Sequence, residues 1–113
     1  MVAGNALAYA VRDNQPAAPL HTLVLPRRHV PDYFNLTPTE REAVADLLCE
    51  CRCDIVAGDP TVLGFNIGIN IGAAAGQTVF HCHVHLVPRR SGDGEAVVTR
   101  GPRKRLLARL PMH

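Results

Sequence analysis

Tryptophan is absent from this 113-residue chain, and aromatic residues make up only 4% of it. A core must therefore be filled by Val, Ile, Leu and Ala, which dominate a hydrophobic content of 47%. No apolar run approaches the roughly 20 residues that a membrane helix needs, so no membrane partner is expected. "VAGNALAYAV" near the start is apolar, but it lacks a charged flank and contains Gly4 and Asn5. It does not read as a secretory leader. Cysteine is too sparse and too clustered for a disulfide framework. Cys49, Cys51 and Cys53 crowd one segment and leave Cys82 alone, so a reducing cytoplasmic setting is expected. An excess of either charge is lacking: 12 basic and 10 acidic residues leave a net charge of +2, which gives no reason to expect nucleic acid as a partner. Repeats and low-complexity segments are missing as well. The length and composition fit one small folded domain.

What is present divides into short segments. "NALAYAVR" (5–12) and "HTLVLP" (21–26) read as strands, separated by a loop that Pro16 and Pro19 punctuate. Thr37, Pro38 and Glu40 spell an N-cap, a first-turn proline and a capping box. Val44, Leu47, Leu48, Cys51 and Ile55 follow at helical spacing, and Gly58 with Pro60 stops the helix. On that helix Cys49 and Cys53 share a face while Cys51 points elsewhere. "GFNIGINIG" (64–72) reads as a glycine-interrupted strand, "AAAGQ" as a turn, and "TVFHCHVHLVP" (78–88) as the last strand. The order strand, strand, helix, strand, strand implies an α+β fold, an antiparallel sheet with one main helix on one face. Arg100, Arg103, Lys104, Arg105 and Arg109 crowd the C-terminus. They read as a solvated tail or helix face, or as contacts to an anionic partner.

Three of the six histidines, His81, His83 and His85, occupy alternate positions of the last apolar segment. In a strand they share one face, roughly 6.5–7 Å apart, while Phe80, Cys82, Val84 and Leu86 face the core. Three uses fit this pattern. It could be the polar face of an amphipathic strand. It could be a metal site, with three imidazoles and a water around zinc. It could serve phosphoryl chemistry, because a neutral imidazole is a nucleophile near pH 7 and its neighbours donate to phosphoryl oxygens.

"HCHVHLV" is similar to the signature of the histidine-triad family of nucleotide hydrolases and transferases, with Cys82 counted as apolar. "AGQTVFHCHVHLVPRRSGD", "GFNIGINIG" and "PAAPLHTLVLPRRHV" resemble the family's active-site strand and loop, its preceding strand and its upstream segment. Leu20 stands where the family commonly has glycine. The resemblance implies a histidine-triad domain over residues 1–95, with a sheet of about five strands and one main helix. Residues 96–113 form a basic tail. It also implies a homodimer joined through sheets and helices.

By the same resemblance His83 is the nucleophile, His81 and His85 bind phosphoryl oxygens, and His21 supports the triad. Asn70, Gly76 and Thr78 contact the phosphate and leaving group, with Gln77 in the same loop, expected to be the more structural. Asp13 accepts hydrogen bonds from the ribose. No cofactor is implied. His29 matches a histidine that binds structural zinc in some bacterial members together with an N-terminal Cys-x-x-Cys. The chain starts too late to carry that pair, so no metal is expected. The implied activity is cleavage of nucleoside 5′-phosphate derivatives, such as dinucleoside polyphosphates, with release of a nucleoside monophosphate. Phosphoramidate cleavage and nucleotide binding with little turnover are the alternatives.

Overall fold

A computed structural model describes residues 1–93 of the chain. The basic tail expected over 96–113 lies outside the described residues. Five strands form one sheet: β1 (Ala3–Gly4), β2 (Ala8–Arg12), β3 (Thr22–Pro26), β4 (Gly64–Gly68) and β5 (Val84–Arg89). They run in the order β1-β2-β3-β5-β4, and each neighbouring pair is antiparallel. The helix α1 (Pro38–Gly58) leaves after β3 and covers one face. This is the antiparallel α+β architecture that the sequence implies. No helix among the described residues is long and apolar enough to cross a membrane.

The core lies between α1 and the sheet. Val44, Leu47, Cys51 and Ile55 of the helix meet Ala8, Ala10, Val24, Val84 and Leu86 of the strands. Leu48 packs against this cluster only partly buried. Cys49 and Cys53 are exposed and Cys51 is buried, as the helical spacing requires.

Both ends of α1 are tied by charge. At the start, Thr37 Oγ1 accepts from the Glu40 amide at 3.2 Å, and Glu40 Oε1 accepts from the Thr37 amide at 2.8 Å. Arg28, just past β3, donates to both oxygens of the same carboxylate at 2.9 and 2.8 Å. At the far end Asp59 is the C-cap, and Arg90 donates to its carboxylate at 2.8 Å. The helix is thus anchored to the ends of two central strands.

Three expected strands are shorter than their apolar patterns suggested. The segment 5–12 breaks because Asn5 Oδ1 accepts from the amides of Leu7 and Ala8, a local turn that competes with the ladder. The chain instead makes a hairpin, β1 to β2. Strand β4 ends at Gly68, opposite His85. Strand β5 begins only at Val84, so His81 and His83 precede it. The segment before Val84 bends toward residues 26–31: the Cys82 amide donates to the Val30 carbonyl at 2.7 Å, and His81 Nε2 donates to the Pro26 carbonyl at 3.0 Å. Phe80, expected in the core, is therefore half exposed, whereas Cys82, Val84 and Leu86 are buried as expected.

The Arg28 hydrogen bonds, with the Thr37 amide second, hold the Glu40 carboxyl at about 2, down from 4.5. A carboxyl that binds its proton less readily in the folded chain stabilises the fold above its unfolded pKa and loses that effect as pH falls toward the folded value. Glu40→Gln should therefore melt below the wild type at neutral pH. The two melting temperatures should converge as pH is lowered from about 5 to about 2. Calorimetry over that range measures the gap, and a gap independent of pH would exclude the ion pair as its source.

Candidate active site

The sheet face away from α1 carries the site. Residues directly opposite in antiparallel strands share a face. Val11 pairs with Leu23, Leu23 with His85, and His85 with Gly68, so these four make one row across β2, β3, β5 and β4. His21, two residues before Leu23, projects to the same side. Its ring meets that of His85 with centroids 5.2 Å apart. The His83 ring meets His85 from the other side at 5.1 Å. All three imidazoles are buried.

The loop joining β2 to β3 brings Asp13 to His21. The Asp13 amide donates to the His21 carbonyl at 2.9 Å, continuing the ladder one residue past β2. Asp13 Oδ1 then accepts from the Gln15 amide at 2.8 Å, a short side-chain turn that starts the loop. Asp13 Oδ2 lies 3.4 Å from His21 Nε2. The loop closes through Leu20, whose φ of 68° is the left-handed region that disfavours a branched side chain. That conformation costs about 1–2 kcal/mol. Leu20 packs against the core, and burying a Leu side chain returns up to about 1.5–3 kcal/mol. The residue standing where the family commonly has glycine is thus held by packing.

Hydrogen-bond partners assign the tautomers, because a carbonyl only accepts and an amide only donates. The Ala17 amide donates to His21 Nδ1 at 3.0 Å, so the His21 proton is on Nε2. That N–H points at His85 Nδ1, 3.1 Å away. His85 Nδ1 is then an acceptor, and its proton sits on Nε2. His83 Nδ1 donates to the His81 carbonyl at 2.8 Å, which leaves the lone pair of His83 on Nε2. The site therefore sets His83 Nε2, on the far side of its ring from the His81 carbonyl, beside the His85 ring whose Nδ1 is taken by His21.

His81 stands apart from this group. Its Nε2 is bound to the Pro26 carbonyl, and its ring packs on His29 at 4.7 Å. The expected single row of three rings is thus two rings, His83 and His85, joined by His21. Among the other expected residues, Asn70 is buried just beyond β4. Gly76 takes a φ of 91°, which a side chain would strain. Thr78 is exposed on the loop that leads to His81. Gln77 is buried, and its amide serves the loop. Oε1 accepts from Gly72, and Nε2 donates to the carbonyls of Pro31 and Val79. Two features were missed in the sequence, the Asp13–His21 contact and the His29–His81 packing. No spacing rule announces either, because each joins segments that only the fold brings together.

Asp13, His21 and His85 offer ligand atoms within 4.8 Å of one another. The donor chemistry does not suit a metal. His21 Nε2 carries a proton, fixed by the Ala17 amide at the other nitrogen, and a ligand must present a lone pair. Cys82, between His81 and His83, is equally unsuited to act as a nucleophile. Burial pushes its thiol up to about 11, so it stays protonated near neutral pH.

Comparison with known proteins places these residues in context. The model of the HIT domain matches residues 1–92. An uncharacterized HIT-like protein of Mycobacterium tuberculosis is 45% identical over 86 residues, covering 74% of this chain and 58% of that protein. The bis(5′-nucleosyl)-tetraphosphatase (asymmetrical) of Schizosaccharomyces pombe is 39% identical over 89 residues, covering 77% of this chain and 47% of its own. The chain thus spans about half the length of these relatives. Among solved structures, a HIT family protein from Bacillus anthracis superposes with a TM-score of 0.76 at 36% identity, covering 80% of this chain and 64% of that one.

The balance at Leu20 orders two variants. Leu20→Ala loses the packing and keeps the strain, whereas Leu20→Gly loses the packing and relieves it. The glycine variant should be the more stable of the two by about 1 kcal/mol, against the usual preference for alanine. Chemical denaturation of both reads the order, and an alanine variant that is more stable would remove strain from the account.

Proposed function

Because this chain belongs to the HIT domain family, which its residues 1–92 match, we propose that it hydrolyses nucleoside 5′-phosphate derivatives through a nucleotidyl-histidine intermediate. The observation that carries this reading is the bond from His83 Nδ1–H to the His81 carbonyl, which directs the lone pair to Nε2. His83 Nε2 attacks the α-phosphorus, a P–N bond forms, and the bond to the leaving group breaks. Water then attacks the same phosphorus, releases the nucleoside monophosphate and returns the electron pair to Nε2. His85 Nε2–H donates to a phosphoryl oxygen as charge builds there. His81 contributes its carbonyl, which orients the nucleophile.

A groove lined by Val11, Asp13, Asn14, Leu23 and Val79 adjoins the histidines. Its apolar side chains suit the flat face of a base, and Asp13 at its edge suits the ribose hydroxyls. Asn70, Gly76 and Thr78 serve the phosphates, with Gln77 shaping their loop. The tetraphosphatase among the relatives favours a dinucleoside polyphosphate such as diadenosine tetraphosphate as the substrate.

The reading includes a homodimer. Strand β4 is a sheet edge with Leu63 and Ile67 exposed beside it, and Val56 of α1 extends the apolar surface. A second copy related by a twofold axis would pair β4 with β4 in antiparallel fashion and cover both.

Purified protein incubated with diadenosine tetraphosphate should release AMP, with or without EDTA. His83→Ala should lower the rate by about three orders of magnitude or more while leaving the fold intact by circular dichroism. Release abolished by EDTA would contradict a metal-free mechanism. Folded protein that binds AMP without turnover would leave a nucleotide-binding module. For the dimer, Ile67→Asp should halve the mass measured by light scattering; an unchanged mass would put the interface elsewhere.

A further inference from the structure

Asp13 is the buried carboxylate of this site, and its contacts point inward. Oδ1 is held by the Gln15 amide, and Oδ2 is turned to within 3.4 Å of His21 Nε2. Resting on the histidine-nucleophile reading above, we propose that Asp13 is a positioning residue for the histidines, in addition to any contact with ribose. It forms a buried Asp–His–His relay with His21 and His85.

The argument follows the protons. His21 is clamped from two sides. At Nδ1 the Ala17 amide supplies a donor, and near Nε2, at 3.4 Å, the Asp13 carboxylate supplies a negative charge that favours an N–H there. Each contact alone favours the tautomer with the proton on Nε2, and together they favour it twice. That N–H lies between Asp13 Oδ2 at 3.4 Å and His85 Nδ1 at 3.1 Å. His85 Nδ1 must then accept, which fixes the His85 proton on Nε2, the nitrogen assigned to the phosphoryl oxygen. Replacing the carboxylate oxygen by an N–H donor would set two donors against each other at His21 Nε2. His21 would then turn or change tautomer, and His85 would lose the partner that defines its own. Burial of all three residues makes an unmatched donor costly and the correct arrangement dominant.

The relay and the ribose contact make different demands. A ribose contact is lost when the substrate lacks its hydroxyls, whereas the relay acts on any substrate and exists in the free protein. Two variants serve the test. Asp13→Asn replaces Oδ2 with a donor, and Asp13→Ser retains a short acceptor for the Gln15 amide but no Oδ2. The first arm is kcat/KM on adenosine phosphoramidate and its 2′,3′-dideoxy analogue. We expect Asp13→Asn, which brings an opposing donor, to lose about tenfold or more in kcat on each substrate, and Asp13→Ser, which leaves the Ala17 contact in place, to lose less but equally on both. A loss confined to the ribose substrate, or one seen in KM alone, would overturn the relay. The second arm needs no turnover: imidazole nitrogen chemical shifts of His21 and His85 in the free, folded protein. The wild type should show both protons on Nε2, and Asp13→Asn should move His85 toward the other tautomer. Unchanged shifts would overturn the relay whether or not the protein is an enzyme. Absent turnover in the wild type would count against the hydrolase reading alone.

Discussion

The His81 carbonyl is the fixed point of this site. In a regular strand, carbonyls lie in the plane of the sheet and side chains stand perpendicular to it. A ring two residues on could not then reach back to that oxygen. Residues 81–83 leave the ladder and bend toward residues 26–31, and this bend turns the His81 carbonyl to meet His83 Nδ1. A backbone group thus decides which nitrogen of the neighbouring imidazole holds the lone pair. A carbonyl suits that task, since it neither titrates nor reverses its role.

The bend depends on anchors distant in sequence. Gln77 fastens the preceding loop to Pro31, and the Cys82 amide fastens the following residue to Val30. The Val30 region is itself placed by Arg28, which links the end of β3 to the first turn of α1 through Glu40. Arg90 and Asp59 do the same at the other end of the helix. Two arginines therefore set the helix against the central strands, and one of these links borders the segment on which the active-site loop leans.

Much of this was legible in the chain. The capping box, the helical periodicity from Val44 to Ile55 and the antiparallel architecture all follow from local chemistry. What the chain concealed was where strands stop. Residues 80–86 alternate apolar and polar side chains, yet the ladder begins only at Val84. Alternation records burial on one side, and Cys82 stays buried without being in a strand. Hence the triplet was read as one row although His81 turns away to His29. The inward set of Asp13 was hidden for another reason. An aspartate before a proline-rich loop reads as a turn residue, and it is one, through Oδ1; its second oxygen acts across the loop, beyond local pattern.

The hydrogen bond between His21 and His85 joins residues 64 positions apart in the chain. Contacts of such high separation form late, because the intervening segment must first lose its loop entropy. Every component of the site downstream of His21 waits for β5 to dock beside β3. A chain still emerging during synthesis, or one that has folded only its first hairpin and helix, therefore has no partial centre. The cluster is completed with the closing strand, and the return of the His21–His85 contact during refolding would time that final docking.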